Sequence, residues 1–308
     1  MDEQAMILVT GASGFIGKRV CDALAAHQRK FVAVDRSLVD GLPGEVVQGD
    51  LTKRDFLCAL FQSYSFDCVV HLAGLLNTYS RKWPQEAMRV NVGASLELLR
   101  LAAEHKVTRF IYGSSVSVYG TKSRQSCGEV TEFEPASPED VYGVCKRYVE
   151  VVGEGHGDRQ ELEFAAVRIA SVVGAGSASA TSKWRSGIFE ALGADRPAEI
   201  QIPYRASELV PLIHVDEVAN IISILAAADR LAHSVYNTPA ETWSFADLQA
   251  LLASLRPDLK VTLGSQTVFG IPQAVDGTRL MAEFGYRPCP LKERFIGAVE
   301  RGRKRREG

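Results

Sequence analysis

Residues 5–17 read AMILVTGASGFIG, a short apolar run followed by a turn rich in glycine. An unbroken apolar run of this length is typical of a β-strand that is buried on both faces, as in parallel sheets. The glycines stand at Gly11, Gly14 and Gly17, and apolar residues with helical spacing follow them. We therefore predict a strand, a tight turn and a helix, the unit from which doubly wound α/β folds are built.

The glycine turn is a candidate anion site. Gly11 permits the tight turn, Gly14 lets the backbone approach a ligand, and Gly17 lets the helix pack close to the strand. We predict that the pyrophosphate of a dinucleotide binds at this helix N-terminus, although glycines at this spacing also occur in turns without a ligand. The predicted contact residues are Gly11, Ser13, Gly14, Phe15, Ile16 and Gly17.

Strand and helix patterns alternate through the first half of the chain, and they loosen after Gly174. This alternation predicts an α/β fold, a Rossmann-type doubly wound parallel sheet with a smaller mixed α/β C-terminal substrate lobe. We expect residues 1–174, joined by 207–240, to form the dinucleotide-binding domain. Residues 175–206 and 241–308 would form the substrate lobe. Within it, the Gly-, Ala- and Ser-rich run at 174–182 predicts a loop.

The composition is that of an ordinary globular protein. The 308 residues include 35 Lys and Arg against 37 Asp and Glu, a formal net charge of −2, and 46% are apolar. This balance argues against a disordered chain and against a nucleic-acid or membrane-surface partner. No apolar run approaches the roughly 18 residues of a membrane span, and the acidic start of the chain is unlike a signal peptide.

The cysteines give no sign of a metal site or a disulfide framework. None of the six forms a CxxC pair, and none belongs to a Cys/His cluster with zinc-ligand spacing. They are Cys21, Cys58, Cys68, Cys127, Cys145 and Cys289. We expect free thiols, no bound metal and a cytoplasmic protein, because the cytosol keeps thiols reduced.

An acidic residue follows the glycine turn at an informative distance. Asp35 ends the second predicted strand, about 20 residues after Gly14. A carboxylate there binds the adenosine ribose hydroxyls and repels the extra phosphate of NADP, so NAD is favoured. The neighbouring Arg36 keeps NADP open, since a guanidinium can accept that phosphate. Asp50 and Leu51 are predicted to flank the adenine, with a helix N-cap as the alternative role of Asp50.

A tyrosine and a lysine stand four residues apart on a predicted helix, at Tyr142 and Lys146. At this spacing both side chains lie on one face. A lysine ammonium stabilises a nearby phenolate, so we expect Lys146 to lower the pKa of Tyr142 from about 10. Such a tyrosine can exchange a proton with an alcohol while hydride moves to or from its carbon. An incidental surface pair is the alternative interpretation.

A serine-rich run, GSSVSVYG at 113–120, follows the strand predicted at 109–112. Ligands of parallel sheets bind outside the carboxyl ends of the strands. We therefore expect Ser115 to hydrogen-bond a substrate oxygen, with Ser117 also at the substrate. Ser114 and Ser117 are the rivals for the role of Ser115 if the register differs, and a turn without a ligand is the alternative.

Taken in order, these motifs resemble the extended short-chain dehydrogenases/reductases, the NAD-dependent epimerase/dehydratase family. The order continues with HLAG at 71–74, Asn91 and IHVDEVA at 213–219, so the resemblance covers nearly the whole chain. It implies a Rossmann domain with a C-terminal substrate lobe. It also implies that Tyr142 is the catalytic acid/base, that Lys146 lowers its pKa and holds the nicotinamide ribose, and that Ser115 is the catalytic serine.

The resemblance implies further contacts around the cofactor. The residues expected to line the cofactor are Leu72, Ala73, Gly74 and Asn91. Ile169 would border the nicotinamide ring and Ser171 the substrate. For Arg168 we favour a structural ion pair, and for His214 a packed core position in which Asp216 caps the following helix.

Two departures from the family pattern bear on the reaction. Val210 and Pro211 stand where many nucleotide-sugar epimerases carry the Arg-Asp pair that grips a pyrophosphate, and valine cannot replace arginine in that role. Arg205 or Lys183 could compensate. Residues 116–117, Val-Ser, stand where dehydratases carry Asp-Glu, which argues against dehydration.

We therefore predict a dehydrogenase that transfers hydride between nicotinamide and a secondary alcohol of a small polar substrate. A sugar, a sugar acid or a hydroxy amino acid would fit. The first alternative is a nucleotide-sugar epimerase with tightly bound NAD. The second is a non-catalytic NAD(P)-binding scaffold or redox sensor. The resemblance also implies a homodimer that pairs through the helices predicted at 87–104 and 141–152.

Overall fold

The computed structural model describes residues 6–121, 128–158, 162–176, 183–195 and 197–307. Cys127 and residues 177–182 of the predicted loop lie outside these ranges. Within them, no helix is both long and apolar enough to cross a membrane.

The described residues form strands and helices in alternation. The strands are β1 Met6–Thr10, β2 Lys30–Asp35, β3 Glu45–Gln48, β4 Cys68–His71, β5 Arg109–Ser115, β6 Glu163–Ile169, β7 Ser171–Val173, β8 Ala198–Tyr204, β9 Leu209–His214, β10 Val235–Asn237, β11 Glu241–Ser244 and β12 Leu259–Gln266. The helices are α1 Phe15–Ala26, α2 Arg54–Ser63, α3 Asn77–Lys82, α4 Pro84–Ala87, α5 Ser95–Glu104, α6 Val141–Asp158, α7 Lys183–Leu192, α8 Val215–Ala227, α9 Phe245–Leu255, α10 Thr278–Phe284 and α11 Leu291–Glu307.

The central sheet has seven strands in the order β10-β6-β5-β4-β1-β2-β3, and every neighbouring pair is parallel. Strands β2 and β3 follow β1 on one side of the sheet, and β4 then lies on the other side of β1. The strand order therefore reverses between β1 and β4. A reversal of this kind opens a crevice at the carboxyl ends of the strands, where α/β proteins bind ligands.

Burial on both faces of the sheet explains the unbroken apolar strands. Ile7 and Val9 belong to one hydrophobic cluster, which includes side chains of α1 and α8. Leu8 points to the opposite face and joins a second cluster, which includes side chains of α2 and α5. Successive residues of a strand face opposite sides. The doubly wound sheet predicted from the sequence is therefore confirmed.

A second, smaller group of elements carries its own core. It includes the three-stranded sheet β11-β9-β7 and the parallel pair β12-β8. Trp184 and Phe189 of α7 meet Phe245 of α9 and Phe295 of α11 in a third hydrophobic cluster. The first turn of α7 thus joins this smaller core.

The helix predicted at 87–104 is divided in the structure. Residues Met88–Ala94 form a π-helical turn between α4 and α5. Asn91 lies inside this turn, and its amide donates to the carbonyl of Leu75 at 2.9 Å and accepts from its N–H at 2.7 Å. Extra residues in single π-helical turns frequently occur at functional sites. Here the π-helical turn holds the Asn91 side chain against the loop that follows β4.

Candidate active site

The turn between β1 and α1 has the geometry of a phosphate cradle. Gly11 has a φ of +72°, and a Cβ there would lie 2.5 Å from the backbone nitrogen of Ala73. A Cβ at Gly17 would lie 2.0 Å from the carbonyl oxygen of Gly11. Gly14 precedes α1 without a side-chain cap, and the buried Ser13 hydroxyl has no hydrogen-bond partner. The first-turn N–H groups and this hydroxyl fit the pyrophosphate of NAD.

Asp35 lies at the end of β2, next to the cradle. Its carboxylate accepts a hydrogen bond from the N–H of Ser13 at 3.0 Å and another from Ser37 at 3.2 Å. The carboxylate therefore shapes the glycine turn as well as bordering it. Asp35 thus lies at the end of β2, as predicted, and its contact with the ribose stays a prediction.

Arg36 and Asp50 border the same end of the sheet. The side chain of Arg36 is exposed. Asp50 accepts hydrogen bonds from the N–H and hydroxyl of Thr52, and the N–H bond is the largest factor that lowers the Asp50 pKa. The helix-cap role considered for Asp50 is wrong, because α2 begins at Arg54 after this turn. Leu51 is half-buried and packs against a hydrophobic cluster of the sheet.

The loop after β4 contacts both the glycine turn and the residues predicted to be catalytic. Leu72 continues from β4, and its N–H donates to the carbonyl of Thr10 at 3.1 Å. A Cβ at Gly74 would lie 3.2 Å from the Asn91 Oδ1 atom and 3.7 Å from the Lys146 Nζ atom. The predicted contacts Gly74, Asn91 and Lys146 are thus brought together, and glycine leaves room between them.

Ser115, Tyr142 and Lys146 meet where β5 and α6 come together. Ser115 ends β5, and its side chain hydrogen-bonds that of Tyr142. The Lys146 Nζ atom donates to the carbonyl of Gly113 at 2.6 Å. It lies 5.6 Å from the ring centroid of Tyr142 and 4.6 Å from that of Tyr112. The three predicted catalytic side chains form one group.

Burial sets the pKa values in this group. It raises the pKa of Tyr142 to about 12, and the nearby Asp140 charge adds to the rise, while the Ser115 hydrogen bond opposes it. Burial lowers the pKa of Lys146 to about 8. The expectation that Lys146 lowers the pKa of Tyr142 below 10 is therefore wrong for the protein without ligands. Removal of water from the phenol outweighs the stabilisation that its polar neighbours provide.

The other serines of the run have different surroundings. Ser114 donates to the Glu150 carboxylate at 2.6 Å, which engages it in the protein interior. The hydroxyl oxygens of Ser117 and Ser115 are 3.2 Å apart, and the N–H of Ser117 donates to the Ser115 hydroxyl. Ile169, the predicted neighbour of the nicotinamide, is the register partner of Ser115 across β5 and β6. Ser171 follows Ile169 by two residues and lies in β7 of the three-stranded sheet, and its substrate contact stays a prediction.

Arg168 and His214 occupy buried structural positions. Arg168 forms an ion pair with Glu150 at 2.9 Å, as expected. His214 is buried, and burial lowers its pKa to about 4, so it is neutral at pH 7. Its ring accepts from the N–H of Asp216, which makes His214 itself the cap of α8. The capping role predicted for Asp216 is therefore wrong.

The sequence interpretation missed Arg185. This residue lies in the first turn of α7, and its positive charge opposes the rise in the Tyr142 pKa. Its Nε atom is buried without a hydrogen-bond partner. The run from Trp184 to Phe189 is similar to sugar-acid dehydrogenases of the family, but that similarity assigned no role to Arg185.

Curated relatives share part of the chain. A UDP-glucose 4-epimerase from Streptococcus mutans serotype c is 29% identical over 177 residues, which are 55% of this chain and 52% of that protein. The matched part of the chain spans between about a quarter and a half of the length of the first curated relatives.

Solved structures match nearly the whole chain. A GalE-like L-threonine dehydrogenase from Cupriavidus necator, in its holo form, superposes with a TM-score of 0.85 at 20% identity, over 96% of this chain and 99% of that one. MoeE5 in complex with UDP-glucuronic acid and NAD gives 0.82 at 25% identity, over 98% of this chain and all of that one. Both likenesses agree with the Rossmann-type fold.

The family model of NAD dependent epimerases/dehydratases matches residues 7–238, from β1 to the residue after β10. This stretch includes the glycine turn, Asn91 and the group around Tyr142. The match confirms the family, the extended short-chain dehydrogenase/reductase type and NAD as the cofactor of that family, all predicted from the sequence motifs. The chain belongs to the NAD-dependent epimerase/dehydratase family.

Proposed function

We propose that the chain is an NAD-dependent dehydrogenase that acts on a secondary alcohol of a small polar substrate. The observation that carries the proposal is the group formed by Ser115, Tyr142 and Lys146 beside the glycine cradle. A scaffold that only binds NAD has no need of such a group. Sugars, sugar acids and hydroxy amino acids are the candidate substrates.

Each residue of the group has a distinct task. NAD, when bound, supplies the acceptor for the hydride that leaves the alcohol carbon. Ser115 donates a hydrogen bond to the substrate oxygen and orients it. Tyr142 accepts the proton of the alcohol and returns it in the reverse direction. Lys146, fixed on the Gly113 carbonyl, stabilises the phenolate with its positive charge.

A reduction assay tests this function. NAD and NADP are offered separately with sugars, sugar acids, polyols and hydroxy amino acids, and reduced nicotinamide is followed by absorbance. We expect reduction of NAD and much slower reduction of NADP, because Asp35 stands where the NADP phosphate would bind. A protein that binds NAD but reduces none of it with any of these compounds would contradict the proposal.

The second candidate is a nucleotide-sugar epimerase with tightly bound NAD. Its support is the set of UDP-glucose 4-epimerase relatives and a cavity of about 500 Å³ in the smaller group of elements, lined in part by Lys183, Gln201 and Tyr204. Against it, Val210 and Pro211 are buried strand residues. Arg205 is exposed and paired with Glu208 at 3.1 Å. Conversion of UDP-glucose without net reduction would favour this candidate.

Two further features belong to the proposal. Residues 175–206 and 241–308 form the proposed substrate lobe. Most of the third hydrophobic cluster lies in these ranges, and Val173, Val210 and Leu212 join it from β7 and β9. The protein works in the cytoplasm, and the support is the set of free thiols among the described residues. These are Cys21, Cys58, Cys68, Cys145 and Cys289.

We infer that the active protein is a homodimer that pairs through α6. Val144, Tyr148 and Val151 recur at helical spacing on this helix and are each about half exposed, as is Met88 nearby. An apolar face of this kind is stabilised when a second copy covers it.

Charges on that face should separate the dimer. We expect light scattering to give the mass of two chains for the native protein and of one chain for the double variant Val144→Glu/Val151→Glu, because a buried carboxylate without a partner is costly. Val39→Glu, which changes an exposed valine on another surface, should stay dimeric. A native protein with the mass of one chain would end this inference.

A further inference from the structure

Arg185 is half-buried, and it differs from the fully buried arginines in its partners. The buried Arg109, Arg168 and Arg256 each form an ion pair, with Glu163, Glu150 and Asp258 in that order. In the part of the chain that the structure describes, Arg185 has no ion pair and no hydrogen bond, and its Nε atom is buried. Buried charges without partners are rare in proteins because their desolvation is not compensated.

The surroundings of Arg185 are aromatic. Its guanidinium carbon lies 5.8 Å from the ring centroid of Trp184, a contact that suits a planar cation. The phenols of Tyr142 and Tyr204 are the groups that act on its charge. The six residues directly before α7, SASATS at 177–182, contain no acidic side chain. The charge of the guanidinium therefore acts on Tyr142, and no carboxylate among the described residues forms an ion pair with it.

Burial lowers the pKa of Arg185 from its usual value, yet an arginine keeps its charge at neutral pH. A retained, unpaired charge beside a reacting group is well suited to an anionic ligand. The fork of N–H groups on a guanidinium matches the two oxygens of a carboxylate.

We propose that Arg185 binds the carboxylate of the substrate, so that the enzyme acts on hydroxy acids rather than on neutral sugars or polyols. This inference rests on the proposed dehydrogenase function and narrows its substrate class. Because the charge of Arg185 acts on Tyr142, we expect a carboxylate held by Arg185 to bring the hydroxyl of a small hydroxy acid toward the phenol. In a 4-epimerase substrate the reacting hydroxyl lies across the sugar ring from the diphosphate, so the group near Tyr142 is neutral and leaves Arg185 unpaired.

The test compares acids with matched neutral compounds. Galacturonate is paired with galactose, gluconate with sorbitol, and threonine with threoninol. Arg185→Met removes the receptor, and Arg185→Lys keeps the charge but loses the fork. Lys292→Met removes an exposed positive charge from α11, in the same group of elements, and serves as the matched control. NAD binding by calorimetry and thermal unfolding verify that each variant is folded.

We expect the native enzyme to oxidise at least one acid and to prefer it over its neutral partner. Arg185→Met should raise the KM for that acid by about 10- to 100-fold, the effect of losing a charge-assisted hydrogen-bonded pair. It should leave NAD binding unchanged and abolish the preference for the acid. Arg185→Lys should recover part of the loss, and Lys292→Met should change the KM little.

Three outcomes would overturn the assignment of Arg185. One is a native enzyme that prefers neutral compounds or UDP-sugars, and another is an equal effect of Arg185→Met on both members of a pair. If no compound is oxidised, the dehydrogenase proposal fails, and calorimetry of the NAD-loaded protein with the same acids decides the role of Arg185. If an acid binds to the native protein and not to Arg185→Met, the result supports Arg185 as the carboxylate-binding residue. The third overturning outcome is that no acid binds.

Discussion

Tyr142→Phe is expected to lower kcat by about 10²- to 10⁴-fold, the range for removal of a general acid or base. The variant loses only the hydroxyl that exchanges the proton, so the Lys146 link to Gly113 and the glycine cradle stay in place. NAD binding, measured by calorimetry, should be nearly unchanged. Tyr148→Phe removes a hydroxyl from an exposed tyrosine of the same helix and should leave kcat unchanged.

The pH dependence of alcohol oxidation provides a second measure of the same role. A phenol with a pKa of about 12 is almost fully protonated at neutral pH, so the active phenolate becomes more abundant as the pH rises. We expect kcat to increase from pH 6 to about 8. Above about 8 Lys146 loses its charge, which opposes further gain. A Tyr142→Phe enzyme with native activity would exclude the proposed mechanism.

Glu150→Ala is expected to reduce the free energy of unfolding by about 3–5 kcal/mol, the cost of breaking a buried ion pair. The Glu150 carboxylate is fully buried and accepts from Arg168 at 3.0 and 2.9 Å and from Ser114 at 2.6 Å. Arg168 also donates to the Tyr119 hydroxyl at 2.8 Å. The variant leaves the guanidinium buried without a counter-charge, and urea unfolding measures the loss.

Removal of both charges separates the ion pair from packing. Glu150→Leu with Arg168→Met should lose less stability than Glu150→Ala, because no unpaired charge is left in the interior. Glu199→Ala breaks a pair with Lys260 at 3.1 Å between exposed side chains of β8 and β12, and it should change stability by less than about 1 kcal/mol. A loss of this small size for Glu150→Ala would show that the buried pair contributes little.

The central sheet was predictable because its signals are local. A strand buried on both faces needs a continuous apolar run. The run before Gly11 would expose apolar side chains to water if it lay at the surface. The glycine spacing was equally informative, since Gly11 and Gly17 lie where a Cβ would collide with backbone atoms. Likewise, the spacing of Tyr142 and Lys146 predicted that both lie on one face of α6.

Other features depend on contacts between distant residues. The π-helical turn at Met88–Ala94 joins Asn91 to Leu75, a contact that no helical pattern announces. The pKa of Tyr142 depends on how much water the fold removes, and the sequence does not give that depth. Arg185 was missed because its importance lies in the lack of a partner, which only the assembled surroundings reveal.

The hydrogen bond between Lys146 and Gly113 also affects which parts of this protein can change to accept a new substrate. It holds α6 on β5, so the positions of Ser115 and Tyr142 depend on the central sheet and its helices. Arg185 belongs to another stretch of chain, the first turn of α7, which packs in a separate core. Mutations in α7 at positions other than Arg185, whose charge acts on the Tyr142 pKa, can therefore alter substrate choice and leave the proton-transfer group in place. Directed evolution for a new substrate should begin with residues 183–192 and keep β5 and α6 constant.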